Sequence, residues 1–256
     1  MTSTELPWSV LKDSEEADVS PEAESNRAQS PGPDEAVVAG GDIILVAGKD
    51  QRRVQVSSGF LMQNPPVFDA ILNLKFSEGI GFHESNELPV EIKLPEDDEV
   101  STTQALRTLY GSDPSMLLLD LDEIQKVAIF ADKYDMSPRF SMAATGWMSR
   151  EPSNLDHAWK LMTVSYWFNL EDSFRTMSER VVVEMNHAQI FRLAHQIHDV
   201  GLGLKLGMAL LLLHHALSQY MAHPKGGLCL RCFKIAANDP VAMQPGCPRP
   251  SNHRSG

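Results

Sequence analysis

The feature that most constrains this chain is an apolar run framed by glycine. Gly41-Asp42-Ile43-Ile44-Leu45-Val46 follows Gly40 and gives way to Gly48. The run is short and contains β-branched residues, so it predicts a buried strand. Arg53-Val54-Gln55-Val56 alternates with period two after the turn Gly48-Lys49-Asp50-Gln51, and together the two runs predict a hairpin. Ser57-Ser58 offers an N-cap to a short helix through Phe60, Leu61 and Met62. Pro65-Pro66 opens a second helix, striped by Val67, Phe68, Ile71 and Leu72. A third strand, Leu88 to Leu94, places Leu88, Val90, Ile92 and Leu94 on one face. Two longer helices follow. One begins near Asp98 to Ser101, where Ser101-Thr102-Thr103-Gln104 fits a capping box, turns Ala105, Leu106, Leu109 and Tyr110 inward, and stops at Gly111. The other carries Ile124, Val127, Ala128 and Ala131 at i, i+3, i+4 and i+7. Leu45, Val56, Phe68, Ile92, Leu106 and Ile129 are expected to share one interior. This order predicts an α+β module over residues 41–150.

The flanks differ from the module. In residues 1–40, Lys12 and Arg27 face nine carboxylates, so more than half of the net charge of −12 sits there. With Ser20-Pro21, Ser30-Pro31 and Pro33, that composition predicts a solvated, disordered leader. Its alternative is a partner-binding or phosphorylated segment, anchored by Leu6, Trp8, Val10 and Leu11. Within the module, Phe76, Ile80 and Phe82 in the loop Asn73–Asn86 are expected to cover the sheet. Residues 151–225 read as an all-helical extension. Leu155, Ala158, Trp159, Met162 and Tyr166 make one stripe, Phe174, Met177 and Val181 a second, and Asn186–Gln196 and Leu202–Met221 supply two more helices. Residues 226–256 read as a disordered or weakly metal-binding tail.

Several quoted blocks carry a resemblance. Gly41–Val46, Val54–Ser58, Pro66–Leu72, Ile92–Asp98, Leu106–Tyr110 and Ala128–Met136 stand in register over about 110 residues, more specific than one short motif. Together they resemble a BTB/POZ domain of the divergent variety abundant in fungal proteins. The resemblance implies a small sheet flanked by helices, no catalytic residues and no cofactor. It also implies a protein–protein interaction adaptor or scaffold, in ubiquitin ligase or transcription-regulatory assemblies. A cullin-type scaffold would be contacted through the loop holding Asp113, Met116 and Leu117, although Met116 to Asp120 lacks the Glu usually found two positions after a hydrophobic residue. The alternative is that Leu117 to Leu119 is a short strand or helix start packed on the sheet. Self-association would use the first two helices through Phe60, Met62 and Val67. The residues before Gly41 offer no helix and strand to exchange, and Val37-Val38-Ala39 is short for a strand, so a weak dimer or a monomer is expected.

Other function classes are less well served. A net charge of −12 argues against a nucleic-acid surface. The longest apolar stretch, Met208 to Leu213, is far below the roughly 20 residues that span a bilayer. Three cysteines and no recognisable secretory signal suit an intracellular protein, cytoplasmic or nuclear. Gly201-Leu202-Gly203-Leu204-Lys205-Leu206-Gly207 lacks the spacing of a dinucleotide loop and reads as a helix-linking turn. His195 and His198 lie one turn apart without a third fixed ligand, and His214-His215 point different ways on a helix. Cys229-Leu230-Arg231-Cys232, with Cys247 and His253, has the composition of a zinc tetrahedron. Proline-rich surroundings and the odd cysteine count favour no metal there. A metal-dependent regulator or enzyme using this tail is the alternative to an adaptor.

Overall fold

The computed structural model describes residues 32–63, 66–72, 89–111, 113–220, 226–250 and 253. Residues 33–256 cluster as one compact unit. The expected disorder of residues 1–31, the anchors Leu6, Trp8, Val10 and Leu11, the strand residue Leu88, and Phe76, Ile80 and Phe82 all lie outside the described residues. The fold is mixed α+β, a small four-stranded sheet with ten α-helices among the described residues.

The glycine-framed run is strand β2 (Ile43–Ala47), and every residue of it is buried. It pairs antiparallel with β3 (Arg52–Val56), Leu45 opposite Val54. The turn between them needs left-handed backbone at Gly48 (φ 72°) and Gln51 (φ 54°). Strand β4 (Val90–Leu94) returns parallel to β2, Leu45 opposite Ile92. A further strand, β1 (Glu35–Ala36), pairs parallel with β3 and makes the sheet order β1-β3-β2-β4. It falls inside the segment expected as leader. Local composition could not predict it, because its two residues are held by charge rather than by apolar alternation. The Asp34 carboxylate accepts the Arg53 backbone N–H at 2.8 Å, and Glu35 pairs with Arg52 at 3.0 Å and with Arg107.

Helix α1 (Ser58–Gln63) starts after Ser57, whose carbonyl accepts the Leu61 N–H, but its cap comes from across the sheet. The Asp42 carboxylate accepts the Ser58 N–H at 2.7 Å and the Ser58 hydroxyl. Helix α2 (Pro66–Leu72) buries Phe68 and Leu72. Helix α3 (Glu99–Tyr110) begins at Asp98, whose side chain accepts the Ser101 N–H, so the expected Ser101 capping box is corrected to an Asp98 cap. Ser101, Thr102, Thr103 and Gln104 are buried in the helix, where the three hydroxyls bond carbonyls of the preceding turn. Gly111 ends it in the left-handed region, at φ 62°.

Helix α4 (Leu121–Lys133) opens on a complete capping box of Asp120 and Glu123. It buries Ile124, Val127, Ala128 and Ala131 as its period predicts. Leu45, Val56, Phe68, Ile92 and Leu106 do share the core, but Ile129 is 40% exposed. It lies off the Ile124 stripe, so the helix turns it outward. Helices α5 (Ser141–Met148), α6 (Leu155–Trp167), α7 (Glu171–Glu184), α8 (His187–His195), α9 (Val200–Tyr220) and α10 (Leu230–Ile235) complete the unit. The core runs continuously from the sheet through Trp147 and Phe168 to Phe174 and Phe233. Among the described residues no helix is long and apolar enough to cross a membrane.

The glycines expected to form a turn at 201–207 instead lie inside α9. A Cβ on Gly203 would stand 2.4 Å from the Ala194 carbonyl oxygen, and one on Gly207 would stand 3.0 Å from the Ala194 Cβ. They let α9 press against the end of α8, a tertiary demand that outweighs their poor helix propensity.

Candidate metal centre

The segment expected as tail packs on α7. Gly227 enters so tightly that a Cβ there would lie 1.9 Å from the Arg175 carbonyl oxygen. The Leu228 N–H donates to the Ser178 hydroxyl at 2.8 Å. Cys229 stands at the N-cap of α10, and its carbonyl accepts the Phe233 N–H at 2.9 Å. The turn of helix sets Cys229 and Cys232 three residues apart on one face. Phe233, fully buried, lies 5.6 Å from the Phe174 ring and edge-on to Tyr166 at 5.9 Å. That ring fixes the rotation of α10.

The second pair of donors arrives on a loop. The Asp239 carboxylate accepts the N–H groups of Val241 (2.9 Å) and Ala242 (3.2 Å). Gln244-Pro245-Gly246-Cys247 forms a turn closed by the Cys247 N–H on the Gln244 carbonyl at 3.2 Å, with Gly246 at φ 73°. Arg249 then pairs with Glu171 at 3.2 Å and Asp172 at 2.5 Å, both in the first turn of α7. The His253 N–H donates to the Pro250 carbonyl at 3.0 Å.

The result is convergence. The thiol sulfurs of Cys229, Cys232 and Cys247 and a ring nitrogen of His253 all lie within 4.8 Å of one another. Cys229 Sγ is 3.9 Å from Cys247 Sγ, and His253 Nε2 is 3.3 Å from Cys232 Sγ and 3.4 Å from Cys247 Sγ. The Gln244 backbone N–H points at Cys232 Sγ from 3.3 Å. All three cysteines are free thiols, two buried and Cys247 half-buried. Burial and the neighbouring thiols push Cys232 up to about 11. The Arg249 N–H holds Cys247 below the ordinary thiol range, and burial holds His253 below the ordinary imidazole range. Among the described residues no other set of three or more His, Cys, Asp or Glu side chains converges in this way.

The remaining sequence candidates are placed differently. His195 lines an apolar groove with Phe191, Leu204 and Met208, whereas His198 faces a charged groove with Asp156, Lys160 and Arg192. His214 meets His187, Nδ1 to Nε2, at 2.9 Å, a pair 27 residues apart that no local pattern announced. Of the expected interaction surface, Met116 is buried and its carbonyl accepts the Trp147 Nε1–H at 3.0 Å, which removes it from the surface. A 3-10 turn over Pro114–Leu118 causes this by directing Met116 inward and leaving Leu117 and Leu118 49% and 80% exposed. Asp113 caps that turn by accepting the Ser115 N–H. Phe60, Met62 and Val67 are half-buried, Phe60 stacked on Tyr110 at 4.0 Å and the other two against the core.

No family model matches the chain, and no curated protein matches it.

Proposed function

We propose that this chain is a non-enzymatic interaction adaptor built on a BTB/POZ-like module, with residues 151–220 as its helical extension. The observation that carries the reading is the order and pairing of elements between Ile43 and Lys133. Among the described residues a hairpin is followed by two short helices, a strand returning parallel to its first arm, and two longer helices. That order, together with the resembling blocks that lie along it, supports the reading. The partner is another protein, of which a cullin-type scaffold or a second copy of this chain is the family's usual choice. Leu117 and Leu118 hold apolar side chains in water at the segment where the family meets its scaffold. Phe60, Met62 and Val67 expose only part of their area, which suits a weak dimer or none.

The test is quantitative affinity capture with the intact chain and with a Leu117→Asp/Leu118→Asp variant, alongside purified cullin-type scaffold. Both positions are exposed, so the variant should keep its fold. The adaptor reading expects a partner held by the native chain and released by the variant. Identical partner sets for the two, with no scaffold binding by either, would overturn it. Sedimentation over a hundredfold concentration range should show a monomer or weak dimer, and a dimer persisting at nanomolar concentration would contradict that expectation.

A further inference from the structure

We infer that Cys229, Cys232, Cys247 and His253 bind one Zn2+ ion, and that this ion is structural, clasping residues 226–253 to helix α7. Zinc binds thiolate at about 2.3 Å and imidazole at about 2.0–2.1 Å in a tetrahedron, which sets S···S at about 3.8 Å and S···N at about 3.5 Å. The structure has 3.9 Å for one sulfur pair and 3.3 and 3.4 Å for two sulfur–nitrogen pairs, with the remaining donor pairs inside 4.8 Å. Three sulfurs and one imidazole, without a carboxylate, are a soft set suited to zinc rather than to magnesium or calcium.

A disulfide explains these contacts less well. It brings sulfurs to about 2.05 Å, would strand the third thiol and would give His253 no role. Four protein ligands fill a tetrahedron, leaving none of the open positions a catalytic zinc keeps for water or substrate. Three thiolates around Zn2+ leave a net charge of −1, and Arg231 and Arg249 lie close enough to act on Cys247 and Cys229. The Gln244 N–H aimed at Cys232 is the kind of outer hydrogen bond that orients a metal-bound thiolate.

The surroundings indicate what the ion does. Between α10 and His253 the described chain forms no α-helix or strand, and little of it is buried besides Ala236 and Pro240. Such a segment has too little apolar surface to offset its ordering entropy, the deficit that metals make up in small folded units. Upstream it is tied to α7 through Leu228 and Ser178, downstream through Arg249 and Asp172. Zinc joins the two ties into a closed loop.

The experiment uses the full chain, purified under reducing conditions with a cleavable tag that contains no histidine. Metal analysis should find about one zinc per chain, and the cobalt-substituted protein should show the visible absorption of tetrahedral cobalt thiolate. His253→Ala and Cys247→Ser alter half-buried positions and should leave the circular dichroism of the helices intact. Losing a ligand should weaken zinc binding by more than the roughly 10–100-fold cost of losing a group that merely orients one. Both variants should also open residues 237–250 to protease. A folded protein that takes up no zinc from a zinc-replete buffer would overturn the inference. So would undiminished zinc affinity in both variants. Neither result bears on the adaptor reading, which uses a different surface.

Discussion

Strand β2 with its neighbours, and the segment from Gly226 to His253, are ordered by different physics. In the first region five consecutive residues of β2 are buried, and Phe68, Leu106 and Ile124 close over them with no accessible surface. Each such side chain contributes about 1.5–3 kcal/mol on burial, so order there is a sum over many small apolar terms. In the second region Leu228, Leu230 and Phe233 join that core, but the long loop after them is held at a few polar points. Four donors within 4.8 Å join that loop to the end of α10. A distributed core loses stability gradually as it is trimmed, whereas a point-held segment should fail locally when its one cluster is disturbed.

The largest expected effect attacks the distributed core. Phe68, fully buried and stacked 4.7 Å from Tyr134, should cost about 3–5 kcal/mol when truncated to Ala, enough to unfold a marginal unit. An unchanged melting temperature in Phe68→Ala would break the comparison at its first side. A smaller cost is expected at the helix crossing. Gly203→Ala sets a methyl 2.4 Å from a backbone oxygen and should cost about 1–3 kcal/mol in denaturant melts, although the same change stabilises most helix interiors. A stabilised Gly203→Ala protein would mean that α8 and α9 are not in contact at Ala194.

Smaller still is the cap on α3, where Asp98→Ala should cost about 1 kcal/mol in the same melts. Burial raises the Asp98 carboxyl, but the Ser101 N–H and the Lys126 ammonium outweigh it and hold the group below the ordinary carboxylate range. A group lowered in the folded state stabilises above its unfolded pKa and loses that contribution as pH falls through the folded one. The Asp98→Ala penalty should therefore be full at neutral pH and shrink in acid. A penalty independent of pH would show that the cap is not ionic. Lys126 and Asp98 are both well exposed, so the ion pair adds little beside the N–H bond.

Periodicity made much of this molecule legible. The Ile124 stripe, the β2–β3 hairpin and the Gly111 stop each rest on neighbours within a few residues, where spacing fixes the face. What escaped rests on partners far away in the chain. Strand β1 depends on Arg107, 72 residues on, and the Gly203 conformation depends on the Ala194 carbonyl. Ser101 looked like a cap because its hydroxyl can serve as one, yet Asp98 lay closer to the first free N–H. Met116 read as a surface residue because a 3-10 turn obeys neither the helix nor the strand period. The four donors were visible as residue types, but their meeting depends on Phe233 seating against Phe174 and on Arg249 reaching α7.

The difference between the two regions is tested most directly by amide hydrogen exchange on the full chain, zinc-loaded and after chelation under reducing conditions. The account predicts that chelation removes protection from Leu230–Ala236 and from the loop through Cys247, while β2, β3 and α4 exchange as before. Equal protection of Leu230–Ala236 in the two states would contradict it, and so would a loss spread evenly over the sheet and the C-terminal segment.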